Sequence, residues 1–281
     1  MLMPLTLMYI TNNEKVACIA QNAGVDRIWV DLEIKGKEAR QAGMNTVKSK
    51  HTVEDVIRLR PLIDKSALMV RINPLDEESA DEIDHVVAAG ADYIMLPMFK
   101  TRMEVERFIS LVNGRAKTIL LLETAEAAEN LESYIDVPGI DEIHIGLNDL
   151  HLSYGKTFMF ELLTDGTVDR LASILRDKKV RFGFGGIARI GYGTLPAEMI
   201  LTQHYNLGSQ MAILSRGFCD ANLVEDPECV REDFVVGVRN IRKKEEEIKK
   251  YTDQEFADNY SGVCEKVAQI VESIKRKREQ V

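Results

Sequence analysis

An alternation along the chain limits most strictly what it can fold into. Short β-rich runs recur, each followed by a longer stretch of helical periodicity: LTLMYI then EKVACIAQNAG, RIWVDLE then TVEDVIRLRPLI, ALMVRIN then SADEIDHVVAAG, YIMLPM then RMEVERFISLV. The rhythm continues through TILLLE then AEAAENLESYI, EIHIGLNDL then VDRLASILRDK, RFGFGG then AEMILTQHYNL, and ends on SQMAILS. A strand that leads through a helix into the next strand forms a parallel βαβ unit. Eight such strands with seven intervening helices predict a (β/α)₈ TIM barrel. An open doubly wound sheet is the alternative, but it would carry a Gly-rich turn after its first strand, and Ile10 is followed by TNNEK.

With 281 residues, 45% of them hydrophobic, the chain has material for one large core and an extension. The pattern predicts the barrel over residues 1–229 and C-terminal helices over 230–281. A charged amphipathic helix covers 230–251, and Thr252 and Glu255 then stand in capping-box spacing before a last helix. In that helix Phe256, Tyr260, Val263, Val267, Ile270 and Ile274 recur at steps of three and four. Such a stripe must be buried, either on its own barrel or on a neighbouring subunit, and the second option makes a homo-oligomer the expectation.

No apolar run reaches the roughly 18 residues a membrane helix needs, and MLMPLTLMYI, with no basic residue before it, reads as a first strand. Cysteines at 18, 219, 229 and 264 form neither a C-x-x-C pair nor a zinc-like cluster, which fits a reducing cytoplasm. A net charge of −9 disfavours nucleic acid as a partner. Residues 34–50 nevertheless concentrate Lys35, Lys37, Arg40, Lys48 and Lys50 against the single acid Glu38. That segment reads as a solvated loop or as a receiver for an anionic substrate.

In this fold the active site forms at the C-terminal ends of the strands. Those positions hold Asp31 and Glu33, Arg71 and Asn73, Pro97, Glu123, Asp149, Gly185 with Gly186, and Ser215 with Arg216. Strand parity places Glu123 above Leu121 and Ile119, and Arg71 above Met69 and Ala67. A charge crowning an apolar strand needs a partner, solvent or a metal. A Glu123–Arg71 rim salt bridge is the plain solution. The segment GLNDL adds Gly146, Leu147, Asn148 and Asp149, whose amides can face an anion if a short helix follows. Two carboxylates, backbone donors and an arginine together suit a divalent cation chelated by a substrate with adjacent keto and carboxylate oxygens. Hard oxygen ligands favour Mg²⁺ or Mn²⁺.

The strings VDLE at 30–33, VRIN at 70–73, LPM at 96–98, LLETAEAAENL at 121–131 and VPGIDEIHIGLNDLHLSYG at 137–155 resemble the HpcH/HpaI aldolase and citrate lyase β-subunit family, over roughly residues 25–190. The resemblance implies that Glu123 and Asp149 are metal ligands, that Arg71 contacts the keto oxygen, and that the backbone from Gly146 to Asp149 receives the substrate carboxylate. It also makes Asp31 and Glu33 the acidic pair of the strand-two motif, with a catalytic part. The implied activity is metal-dependent carbon–carbon lysis (aldolase) of a 2-oxo acid such as pyruvate or oxaloacetate through an enolate. Two departures stand out: Ile34 occupies the place of a histidine or aspartate, and Leu121 that of a glutamine. With the C-terminal stripe they keep open a catalytically silent oligomeric barrel, while VDLE, VRIN and the basic loop at 34–50 keep open a citrate-lyase-like enzyme acting on an acyl-CoA thioester.

Lesser candidates read as follows. Strands four to eight, as delimited above, contain no lysine for a Schiff base. His144 has the opposite parity to Asp149, which predicts a structural side chain facing the helices. His151 is a loop histidine or an acid–base group beside Asp149, and His51 is a weaker candidate. GFGGIARIG at 183–191 is either tight loop geometry or, with Arg189, an anion site.

Overall fold

The computed structural model describes residues 3–35, 51–220 and 226–280. Eight parallel strands close into a barrel in sequence order: β1 (Thr6–Ile10), β2 (Arg27–Asp31), β3 (Ala67–Arg71), β4 (Tyr93–Leu96), β5 (Lys117–Leu122), β6 (Glu142–Ile145), β7 (Arg181–Ile187) and β8 (Met211–Leu214). Each strand coincides with an apolar run of the sequence. β5 begins one residue early, so a lysine, Lys117, stands on it after all, but at its exposed N-terminal end.

Alternation along the strands produces two cores. Met8, Trp29, Met69, Met95, Ile119, Leu121 and Met211 fill the lumen. Residues of the other parity, such as Ile28, Val30, Leu68, Val70, Leu120 and Leu122, join the larger core between sheet and helices. The floor of the lumen is polar: Arg27 makes a two-pronged ion pair with Glu142 at 2.5 and 2.7 Å, and Arg181 joins the same carboxylate. Arg27 also lies 3.9 Å above the Tyr93 ring. This network holds the Glu142 carboxyl below its ordinary range even though burial works the other way.

The glycine-rich segment of β7 is explained by backbone geometry. Gly183 pairs with Met211 and Gly186 with Ile213, so an extra residue bulges between them. Gly185 adopts φ +47°, and a Cβ there would sit 2.8 Å from Leu147 Cδ1. Arg189, kept open as an anion binder, is bonded to Asp233 and stacks 4.9 Å from the Tyr192 ring.

Helices connect the strands: among the described residues α1 (Glu14–Asn22), α2 (Val53–Leu59), α3 (Ser79–Ala88), α4 (Arg102–Val112), α5 (Ala125–Glu129), α6 (Leu131–Tyr134), α7 (Leu147–Ser153), α8 (Thr167–Asp177) and α9 (Ala197–Leu207). After β8 come α10 (Arg231–Ile248) and α11 (Asp253–Glu279). The expected boundary at 229/230 falls inside the helical layer, because α10 packs on α1 and α9. From α10, Glu245 accepts from the Leu5 amide at 2.8 Å and Phe234 meets Tyr9 edge-on at 4.8 Å. The last helix, α11, starts at the Thr252–Glu255 capping box. Its stripe packs on α9 and on the 3₁₀ turn Met159–Leu163, burying Val263 and Val267, while Phe256, Tyr260, Ile270 and Ile274 are half-buried. Among the described residues no helix is long and apolar enough to cross a membrane.

Candidate active site

Arg71 ends β3 directly opposite Asp31 at the end of β2, because the two are register partners. Its Nε and Nη2 donate to Asp31 Oδ1 and Oδ2 at 2.7 and 2.8 Å, and Nη1 lies 3.2 Å from Glu33 Oε2. Burial opposes the charge on this guanidinium, but Asp31 and Glu33 outweigh it and raise its pKa further. The partner expected for a rim salt bridge, Glu123, is replaced by Asp31: adjacent strands in register bring those two groups together, whereas Glu123 follows β5, two strands away. A planar fork on a carboxylate fixes the guanidinium plane.

The segment after β2 is tied down at both described ends. The Asp31 amide donates to His51 Nδ1 at 3.0 Å, which gives His51 a place beside the site. Asn73 Oδ1 accepts from the amides of Ile34 and Lys35 at 2.9 and 3.0 Å. Lys35 itself binds Asp76 and, at 2.6 Å, Glu78. The other cations of the basic segment, Lys37, Arg40, Lys48 and Lys50, lie outside the described residues.

Glu123 follows β5 and is 3% exposed. Burial drives its carboxyl up to about 8 against the pull of Arg71, with the negative charges of Asp149 and Glu33 adding to the rise. Its Oε1 accepts from the Met98 amide at 3.1 Å. Met98 presents that amide from a left-handed conformation, φ 54°, directly after Pro97. This backbone donor was not legible in the sequence, where LPM marks only a strand end.

Asp149 sits in the first turn of α7, half-buried, and Gly146 is the N-cap. The first-turn amides of α7 have no carbonyl within the helix to bond. A Cβ on Gly146 would lie 2.9 Å from Glu123 Cβ and 3.1 Å from its Oε2, so only glycine lets the α7 backbone close on this carboxylate. His144 departs from expectation. β6 ends at Ile145 and a helix follows, so parity counted back from Asp149 does not apply; His144 is the register partner of Leu121 and lines the cavity. Its Nε2 meets Gly185 O at 3.1 Å, its Nδ1 has no partner, and burial lowers its pKa to about 4. His151 is tied to Leu147 O at 3.2 Å within α7.

These groups surround a cavity of about 590 Å³ at the C-terminal mouth, lined by Arg71, Glu123, Gly146, Leu147, Asn148 and Asp149, with Ser215 and Arg216 on the β8 side. Asp31 and Glu33 stand behind Arg71 and do not line it. No lysine lines it among the described residues. Nor do they contain a cluster of three or more His, Cys, Asp or Glu side chains that would cage a metal. A buried carboxylate with one hydrogen bond, a second carboxylate beside it and a cradle kept clear by Gly146 do fit a hard divalent cation that takes its remaining oxygens from water and substrate.

The chain matches the HpcH/HpaI aldolase/citrate lyase family model over residues 5–159, a span that begins and ends earlier than its motifs suggest. No curated protein matches it. Among solved structures, a HpcH/HpaI aldolase/citrate lyase family protein from Burkholderia cenocepacia J2315 has a TM-score of 0.61 at 16% identity, covering 75% of this chain and 88% of that one. The HpcH/HpaI aldolase from Desulfitobacterium hafniense DCB-2 gives 0.59 at 15%, covering 85% and 93%, and RipC from Yersinia pestis 0.56 at 15%, covering 89% and 97%. At such identities the likeness speaks for the fold. The family model itself spans more than half of the residues, and this chain belongs to the HpcH/HpaI aldolase/citrate lyase family.

Proposed function

We propose that the protein is a divalent-metal-dependent lyase that cleaves, or forms, the carbon–carbon bond of a 4-hydroxy-2-oxo acid, with pyruvate or a close relative as the oxo-acid product. Family membership supports a lyase or aldolase activity in general. The observation that carries the finer reading is the pair Glu123 and Asp149 beside an arginine locked by two carboxylates at the mouth of the barrel.

Glu123 and Asp149 would hold the cation, Mg²⁺ or Mn²⁺ by the hardness of the donors. When bound it acts as a Lewis acid toward the substrate's keto oxygen. Arg71 aims its positive charge at that same oxygen, where negative charge grows as the bond breaks. The hydroxyl gives up its proton as the aldehyde forms, the bonding pair passes into the enolate, and the enolate takes a proton at carbon to yield the oxo acid. Asp31 and Glu33 contribute by holding Arg71, so that little reorganisation is needed when the enolate appears. The amides of Leu147, Asn148 and Asp149, with Gly146 as the cap, receive the substrate carboxylate. With Arg216 exposed on the β8 side of the mouth, the proton is left to solvent or to a residue beyond those named.

The outer half of the α11 stripe, Ile270 and Ile274, supports a homo-oligomer, and the unpaired cysteines support a reducing cytoplasm. The test is exchange of pyruvate methyl protons with deuterated solvent in the presence of Mg²⁺ or Mn²⁺. Exchange that disappears in Glu123→Ala and Asp149→Ala is expected; exchange unchanged in either variant would refute the assignment.

A further inference from the structure

The cavity at the barrel mouth is larger and less polar than that chemistry requires. Its volume of about 590 Å³ corresponds to roughly twenty waters at about 30 Å³ each, far beyond what a three-carbon oxo acid fills. Its lining is divided by the order of the strands. Arg71 ends β3, Glu123 follows β5, and His144, Asn148 and Asp149 line the cavity from β6 and the first turn of α7, whereas the segments beyond α7 and β7 wall it with Phe158, Met159, Phe160, Leu195 and Ile200 beside Thr194. Phe158 and Phe160 stand edge to face, centroids 5.3 Å apart, and make a stiff aromatic surface. Leu147, Phe160, Leu195 and Ile200 are core residues that still present a face to the cavity. On this side the lining contains no lysine or arginine among the described residues, and the other cation, Arg216, stands exposed at the mouth.

An apolar wall facing open space forgoes the dispersion contacts that a packed interior has. A hydrocarbon group seated there restores them and sheds its own water-exposed surface. A second carboxylate placed against Phe158, Met159 and Phe160 would lose its hydration without gaining a charged partner.

We infer that the substrate carries an apolar alkyl or aryl tail beyond the reacting bond, seated against Phe158, Met159 and Phe160, so that the aldehyde released or accepted is hydrophobic. The inference rests on the lyase reading for the position of the oxo-acid end. Discrimination should grow by about fourfold per methylene, the factor equivalent to about 0.8 kcal/mol of buried CH₂.

Trp29, the only tryptophan of the chain, lines the cavity and reports its occupancy. Its fluorescence is titrated in the presence of Mg²⁺ with pyruvate, 2-oxobutanoate, 2-oxopentanoate, 2-oxohexanoate and 2-oxoglutarate, while pyruvate proton exchange is measured separately. Affinity rising about fourfold per added methylene, with 2-oxoglutarate weaker than 2-oxopentanoate, is the expected result. In Phe158→Gln and Met159→Gln, both at half-buried positions, the gain per methylene should fall below about twofold. Exchange with affinity that is flat in tail length, or highest for 2-oxoglutarate, would overturn the inference and leave the lyase reading intact. Tail-dependent affinity without exchange would uphold the apolar subsite and remove the lyase reading. Neither exchange nor any effect on Trp29 would remove both.

Discussion

Replacing Glu123 by glutamine should change how the stability of the metal-free protein depends on pH. The folded carboxyl is pushed from 4.5 up to about 8, chiefly by burial, so between those values the folded chain binds a proton that the unfolded chain has released. Stability contributed by the neutral form is therefore present at low pH and is lost as pH rises through the folded pKa. One proton of difference gives a slope of about 1.4 kcal/mol per pH unit. From pH 5.5 to 7.5 the wild-type protein should lose about 3 kcal/mol through this group alone, or roughly 6–12 °C in Tm. Glutamine keeps the shape and hydrogen-bonding capacity but cannot ionise, so titrations of groups distant from the site cancel in the difference between the two proteins. The assay is thermal unfolding of both, treated with chelator, across that range. Glu123→Gln should gain on the wild type with each step upward in pH. Saturating Mg²⁺ should shrink the gain, because a bound cation holds the wild-type carboxylate ionised at no further cost. Parallel curves in chelator would refute the reasoning about burial, and insensitivity of the difference to Mg²⁺ would refute Glu123 as a ligand.

Arg71→Lys should lower kcat for the lyase reaction by roughly a hundredfold while KM changes less, because a lysine cannot reproduce the fork held by Asp31; unchanged kcat with weaker binding would count against a role in enolate stabilisation. Glu142→Gln should cost roughly 3–5 kcal/mol, since it leaves Arg27, 3% exposed, without its charge partner at the floor of the lumen. Calorimetry should then show Tm lower by roughly 10 °C and pyruvate exchange still present below it, and a drop under about 2 °C would mean that the Arg27–Glu142–Arg181 network adds nothing. Ile270→Asp together with Ile274→Asp should reduce the mass measured by light scattering, whereas an unchanged mass would show that the α11 stripe serves only its own barrel.

The barrel itself was legible in the chain, because parallel βαβ units advertise themselves through two local periods, two residues in strands and between three and four in helices. The same parity puts Leu121, Ile119 and Met69 in the lumen, as found, and the ends of those strands point to Arg71 and Glu123. What parity does not carry is register between strands and the point at which one period gives way to another. Arg71 bonds Asp31 because β2 and β3 align those two residues, and Glu142 holds Arg27 across the lumen from a strand four places away in sequence order. His144 turned inward because β6 stops at Ile145 and α7 begins at Leu147, so a count that crossed that junction mixed two periods. The Met98 amide on Glu123 and the place of α10 in the helical layer are likewise products of closure. Local sequence sets which face of each element is apolar; which groups meet across the barrel is decided only when eight strands close and distant segments compete for the same space.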